Sequence, residues 1–405
     1  MCEQGESSQF ETMFEQPASG VIHTGKGDIH IHPAERTTVE PHVSWERLKQ
    51  SCERISAFHL AILGDKFSSE LYVQRPILQA YLDDFLASDK CFFVLVGQSG
   101  VGKTNFICNA YKRYRSDENI ACVVYDGASL AMVTSLTEQI NRDFTDIGRI
   151  PCANALRYVE FSNDMTNKRL LLLIDAVNEH RDMYTIIQAI KEVGAQYGQW
   201  IKVVISCRPH AWELLYRHAF RVRLPKLLFY SPPGSRSIYV ELGDFSNKEM
   251  AKAYERYRKL YGFEPSYDSL PSKLKRTLRN PLILWLVAEI SREKDIRSQV
   301  GGTDTRLIPQ YVSHLVTGRI LLDRDLDFIE HAFVPLCLKE GQCLNEICVE
   351  RLAEVWESTE ECLDRLIYSG ILMRRDESVR FRYERFYDYY IGMHLLRLVE
   401  SGQVP

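Results

Sequence analysis

Between Cys91 and Tyr114 the chain reads as an apolar run, a glycine-rich loop and a helix in direct succession, an order that few folds accommodate. Cys91-Phe92-Phe93-Val94-Leu95-Val96 is apolar without a break, which is how a parallel strand buried on both faces reads. Gly97-Gln98-Ser99-Gly100-Val101-Gly102-Lys103-Thr104 follows at once and fits the phosphate-binding pattern GxxxxGK[ST]. Lys103 to Tyr114 then has helical patterning, with Asn105 in its first turn. The glycines allow positive φ and bring successive backbone N–H groups around a phosphate, while the helix aims its positive end at the same charge. In this reading Gly97 through Asn105 bind a nucleotide, Lys103 reaches the β- and γ-phosphates, and Thr104 ligates Mg²⁺. The alternative, a glycine-rich turn that happens to carry Lys and Thr, does not explain the flanks.

More of the chain falls into the same frame. Ala121-Cys122-Val123-Val124-Tyr125, Leu170-Leu171-Leu172-Leu173-Ile174-Asp175 and Ile201-Lys202-Val203-Val204-Ile205-Ser206 are further buried-strand candidates, and helical segments near 134–144, 153–162 and 183–197 separate them. Alternating strands and helices predict an α/β fold, a three-layer parallel sheet covered on both faces. A helix from Ser44 to Leu60, capped by Ser44, and another through Leu86 after Tyr72-Val73-Gln74-Arg75-Pro76 precede the first strand.

At 405 residues the chain exceeds the ~250–300 at which one core stops growing, so further domains are expected. The strand signal fades after about residue 236. Asn247–Tyr261 and Leu274–Ile290, the latter interrupted at Asn280-Pro281, predict a small helical domain. Beyond a helix at 307–322, helices near 326–338, 345–355 and 358–369 lead into Gly370-Ile371-Leu372-Met373, a turn at Asp376-Glu377-Ser378, and Val379 to Tyr383. Three helices and a two-stranded wing predict a winged-helix domain, closed by a helix from Glu384 to Glu400. The expected division is an N-terminal extension at 1–43, a nucleotide-binding domain at 44–235, a helical domain at 236–305 and a winged-helix domain at 306–405. In the extension, two alternating runs around Gly25-Lys26-Gly27 predict a β-hairpin; His23, His30 and His32 there read as solvated strand-face residues rather than metal ligands.

A formal charge of −4 offers no general attraction to nucleic acid or an anionic membrane, and no apolar run reaches the ~18 residues of a membrane span. The first residues lack the basic-then-apolar layout of a signal peptide, so a cytoplasmic location is expected. The 11 cysteines include no CxxC pair and read as reduced thiols without a metal site.

Parallel sheets place ligands beyond the carboxyl ends of their strands, and the polar residues at those ends are the remaining site candidates. Asp175 closes an aliphatic run and is placed to hold Mg²⁺; Glu179, in Ala176-Val177-Asn178-Glu179, is the candidate for polarising an attacking water. Arg208, in Ser206-Cys207-Arg208-Pro209, closes the next strand and is the candidate contact for a γ-phosphate. The catalytic set is therefore Lys103, Asp175, Glu179 and Arg208, with Thr104 and Asp175 on the metal.

Taken together, Tyr72 to Pro76, the phosphate loop, Leu170 to Glu179, Ser206 to Pro209, Asn280-Pro281-Leu282 and Phe381 to Tyr390 resemble the STAND class of signal-transduction NTPases, the NACHT-like group and its bacterial members most of all. The resemblance covers about residues 60 to 400. It implies a slow ATPase that works as a switch, closed around ADP and opened by ATP for self-assembly or partner docking in signalling or defence. It implies that Pro281 packs on the adenine or ribose and that Tyr72, Arg75 and Pro76 line the base side. Where such proteins carry a histidine on the ADP β-phosphate, this chain has Tyr383, able to donate one hydrogen bond but without charge, so Arg382 or Arg385 are alternatives. The acidic pair after the Mg²⁺ aspartate is Asn178-Glu179, leaving one acid. Because the sequence ends soon after the winged helix, a homo-oligomer on activation and a protein partner supplying sensor or effector are expected.

Two other readings keep the nucleotide site. One is an AAA+-like, DNA-engaging ATPase that uses Arg374, Arg375, Arg380, Arg382 and Arg385 on and beside the wing for phosphate contacts. The other is a non-hydrolysing ATP-binding adaptor.

Overall fold

The apolar runs become five parallel strands: β1 Phe92–Val96, β2 Ile120–Asp126, β3 Arg169–Asp175, β4 Ile201–Cys207 and β5 Val240–Glu241. They line up in the order β2-β3-β4-β1-β5. This computed structural model describes residues 43–402 apart from 64–66, 131, 153, 181, 222–227, 293–294, 300–303, 340–345 and 376. The predicted hairpin with His23, His30 and His32 lies outside the described residues.

Strand alternation divides the side chains cleanly. Phe92, Val94, Leu170, Leu172, Val203 and Ile205 join the core on one face, Phe93, Leu95, Leu171, Leu173 and Val204 the core on the other. Each such side chain contributes about 1.5–3 kcal/mol by leaving water; the buried exception, Lys202 near the start of β4, gives its ammonium protons to Ser88 O and Lys90 O. The outer edge of β2 is covered by the helix Trp45–Leu63, where Ser56 Oγ accepts a hydrogen bond from Val124 N at 3.1 Å. A strand edge is thereby closed to foreign pairing.

The sequence reading ends the sheet near residue 235. The structure adds β5, paired in parallel with β1 at Leu95 and Val96. Two residues are too short to carry a period-2 signal.

Downstream, the helices Asn247–Tyr261, Ser272–Thr277, Pro281–Ile290 and Asp304–Thr317 follow the predicted pattern. Asn280 explains the break before Pro281: its side-chain oxygen accepts from Leu282 N at 3.2 Å and Ile283 N at 3.3 Å, and Pro281 fills the first helical position, where no donor is needed. The C-terminal module holds a three-stranded antiparallel sheet in the order β6-β8-β7, built from β6 Glu346–Cys348, β7 Leu372–Arg375 and β8 Ser378–Phe381. The helix expected over 345–355 is therefore corrected to a strand followed by the short helix Val349–Ala353. One buried apolar cluster runs from Phe245 through Leu284 and Phe333 to Tyr390, so residues of the helical segment and of the C-terminal module share a core.

Candidate functional site

The strand order puts β4 between β1 and β3, so Ser206 and Arg208 arrive between the phosphate loop and Asp175. Gly100 at φ 83° and Gly102 at φ 96° take the left-handed conformation that the loop pattern requires. Gly102 caps the helix Lys103–Tyr114 without a side-chain acceptor, leaving the first-turn N–H groups to a ligand. A β-carbon on Gly100 would fall 2.8 Å from Leu282 Cβ, and Leu282 N donates to Gly100 O at 3.2 Å. The loop thus touches the helix Pro281–Ile290 directly.

Lys103 Nζ donates to Gly97 O at 2.7 Å and to Gln98 O at 2.9 Å. Burial pushes its pKa down to about 8, with Asp175 pulling the other way and Arg208 adding to the depression. Thr104 Oγ1 donates to Asp175 Oδ2 at 2.6 Å, and Ser206 Oγ donates to Asp175 Oδ1 at 2.5 Å while accepting from Ala176 N at 2.8 Å. Asp175 is 2% exposed and fixed at both oxygens, next to Ala176 in the left-handed region at φ 52°. A hydroxyl and a carboxylate this close form the all-oxygen donor pair that suits Mg²⁺. Ser206 is a residue that the sequence reading quoted but gave no role.

A cavity of about 660 Å³ opens over these groups. Its wall contains Ser99 through Asn105, Asp175, Glu179, Arg208, Tyr72, Arg75, Pro281 and Tyr383, so most residues chosen from the sequence converge. Gly97, Gln98 and Pro76 are not in that wall: the first two turn their carbonyls to Lys103, and Pro76 opens the helix Pro76–Ala87. Polar atoms in residues of the wall, among them Tyr72 Oη, Asn105 Oδ1 and Asn178 Oδ1, are buried with no hydrogen-bond partner. Such atoms cost about 1–3 kcal/mol each unless a ligand or water meets them. The cavity is therefore built for a polar guest. Burial also pushes the Tyr72 hydroxyl up to about 12, so it stays a donor.

Arg75, in the cavity wall, also has a structural task. Its guanidinium, 4.3 Å from the centre of the Phe245 ring, donates to Val101 O, Gly243 O, Asp244 O and Glu249 Oε2 at 3.1–3.3 Å. It ties the segment before β1 to the phosphate loop and to the helix Asn247–Tyr261.

The largest correction concerns the arginines assigned to a DNA-facing wing. Arg380, 4% exposed, pairs with Glu179 and lies 3.8 Å from Asp126, while Arg375 lies 3.4 Å from Asp126 and 3.6 Å from Glu346. Burial alone would lower the Arg380 pKa, but Glu179 and Asp126 outweigh it and hold the group well above the usual arginine value. Arg374 pairs with Glu360 and Arg382 lines the cavity, so these side chains do not form one outward basic patch. Arg208 in turn pairs with Glu384, the first residue of the helix Glu384–Glu400, and burial lowers its pKa against the pull of Glu179 and Asp388. Removing one partner of a buried ion pair costs about 3–5 kcal/mol, so the contacts of Arg380 and Arg375 with Glu179 and Asp126 fix the C-terminal module on the sheet edge.

No protein-family description matches the sequence, and no curated protein does. Among solved structures the chain is similar to a Walker-type ATPase of Pyrococcus abyssi, at 12% identity and a TM-score of 0.38 over 79% of this chain and 96% of that one. It is also similar to Cdc6p from Pyrobaculum aerophilum, at 12% identity and a TM-score of 0.35 over 82% and 96%. A third is the Drosophila ORC bound to DNA, at 13% identity and a TM-score of 0.36 over 79% and 94%. Among the described residues no helix is long and apolar enough to cross a membrane.

Proposed function

We propose that the chain is a STAND-type switch that binds and slowly hydrolyses ATP, closed in the ADP state and open in the ATP state. The observation that carries this reading is the shared cavity: one wall is the phosphate loop with Asp175 and Glu179, another is Pro281 and Trp285, and a third is Tyr383 and Glu384 of the C-terminal module, which reads as a winged helix. A ligand that touches all three can bias how they sit together. Thr104 and Asp175 would hold Mg²⁺, which supplies charge neutralisation on the phosphates. Lys103 gives the β- and γ-phosphates a cation, Glu179 takes a proton from the attacking water as its oxygen bonds to the γ-phosphorus, and the bond to the β–γ bridging oxygen breaks with its electron pair leaving on ADP. Arg208 neutralises charge developing on the γ-phosphoryl group. Adenine recognition by Pro281 and Tyr72 and a tyrosine, Tyr383, at the ADP contact belong to the same reading.

Calorimetry with Mg²⁺ and ADP, ATP or a non-hydrolysable analogue tests binding, and light scattering with limited proteolysis tests switching. Binding of all three with identical size and cleavage pattern sinks the switch and leaves the adaptor. Homo-oligomerisation with the analogue supports it.

A further inference from the structure

Of the four groups in the catalytic set, Glu179 and Arg208 are occupied from outside the nucleotide-binding module, whereas the hydrogen bonds of Lys103 and Asp175 stay within it. Lys103, Thr104 and Asp175 make their hydrogen bonds with Gly97, Gln98, Ser206 and one another. Glu179 is paired with Arg380, and Arg208 with Glu384, both from the C-terminal module. We propose that Arg380 and Glu384 are positioning residues that switch hydrolysis off, by holding the water-activating carboxylate and the γ-phosphate-contacting guanidinium while leaving the nucleotide grip intact. This rests on the ATPase reading above and names its regulation.

The chemistry follows from what each group must do. A general base needs a lone pair directed at water, and a guanidinium on Glu179 both takes that lone pair and favours the charged carboxylate, making it a weaker base. Arg208 must meet a negative phosphoryl oxygen, and Glu384 cancels its charge and adds repulsion. Arg380 lies in β8 and Glu384 opens the helix that follows, so one displacement of this short stretch releases both. Asp126, facing Arg375 and Arg380 from the end of β2, adds a second anchor to the same latch. On release, water's proton passes to Glu179 as the new P–O bond forms and the β–γ bridging bond breaks toward ADP, so no other reactant is required.

The test uses the full chain and two readouts, kcat for ATP with Mg²⁺ and Kd for a non-hydrolysable ATP analogue. Arg380→Ala and Glu384→Gln should each raise kcat about tenfold or more, within the ~10²–10⁴ that a positioned base supplies, with the analogue Kd unchanged in Arg380→Ala and no weaker in Glu384→Gln, where Arg208 is freed toward the γ-phosphate. Arg380→Lys should restore part of the restraint. Adding Glu179→Gln to Arg380→Ala should abolish the gain, which a loosened fold would not do. Folded variants that bind the analogue like the wild type and turn over at or below its rate overturn the latch. If Arg380→Ala does not fold, Glu384→Gln decides by the same criterion. Absence of analogue binding in the wild type and every variant overturns the ATPase reading itself, a result distinct from binding with unchanged turnover.

Discussion

The two sides of the cavity are built by different means. On the phosphate-loop side, backbone conformation and hydrogen bonds between adjoining strand ends of one sheet place the groups: Gly100 and Gly102 turn the chain, Lys103 lies on carbonyls five and six residues away, and Asp175 is held by Thr104 and Ser206, 71 and 31 residues away. On the other side, full charges meet across the fold, Arg380 with Glu179 at a separation of 201 residues and Arg208 with Glu384. The first kind of construction lies within the parallel sheet, between the loop and the ends of β3 and β4, and persists whenever that sheet is folded. The second depends on where the C-terminal module sits. On the proposed ATPase reading, nucleotide affinity and nucleotide turnover are therefore separable properties of one site.

The severest challenge to that division is Lys103→Ala, which removes a charge-assisted phosphate contact from the local side. It should weaken ATP and ADP alike by about 10³-fold, about 4 kcal/mol, in calorimetry; retained affinity would show that the loop alone suffices. Glu179→Gln addresses the other side and should lower turnover about 10²-fold with Kd unchanged. Loss of affinity in that variant would break the separation. Acidity sharpens it further. Lys103 in the free site loses its proton near pH 8, and phosphates favour the charged form, so binding takes up a proton above that pH and not below it. Affinity should be flat below pH 8 and fall by up to roughly tenfold per unit above it. Smallest is Asn280→Ala, which uncaps the helix Pro281–Ile290 and should cost about 1 kcal/mol of stability, read as a lowered Tm, with little effect on turnover.

Much of the local side was legible in the sequence because fully buried parallel strands carry uninterrupted apolar runs, and a carboxylate or guanidinium at the end of such a run, as at Asp175 and Arg208, stands out. The helices Lys103–Tyr114, Met183–Tyr197 and Asn247–Tyr261 appear within the predicted bounds for the same reason of strong patterning. The long-range side was not legible. In β8, Val379 and Phe381 enter the C-terminal module's own core, and alternation then places Arg380 on the opposite face, which reads as solvent until another module is known to cover it. The structural role of Arg75 was not legible either: it lines the cavity as expected, but the four carbonyl and carboxylate oxygens that it bonds come from segments far apart in the chain. Strands β5 and β6, of two and three residues, are too short to show a period at all.

The meeting of Gly100 with Leu282 has a mechanical consequence. Helix Pro281–Ile290 is rooted in the same apolar mass as the stretch bearing Phe381 and Phe386, so loop and C-terminal module are joined through this helix as well as through the ion pairs. A rearrangement of the phosphate cradle that moves Leu282 is thereby transmitted to the apolar mass in which Val379 and Phe381, the neighbours of Arg380, are seated.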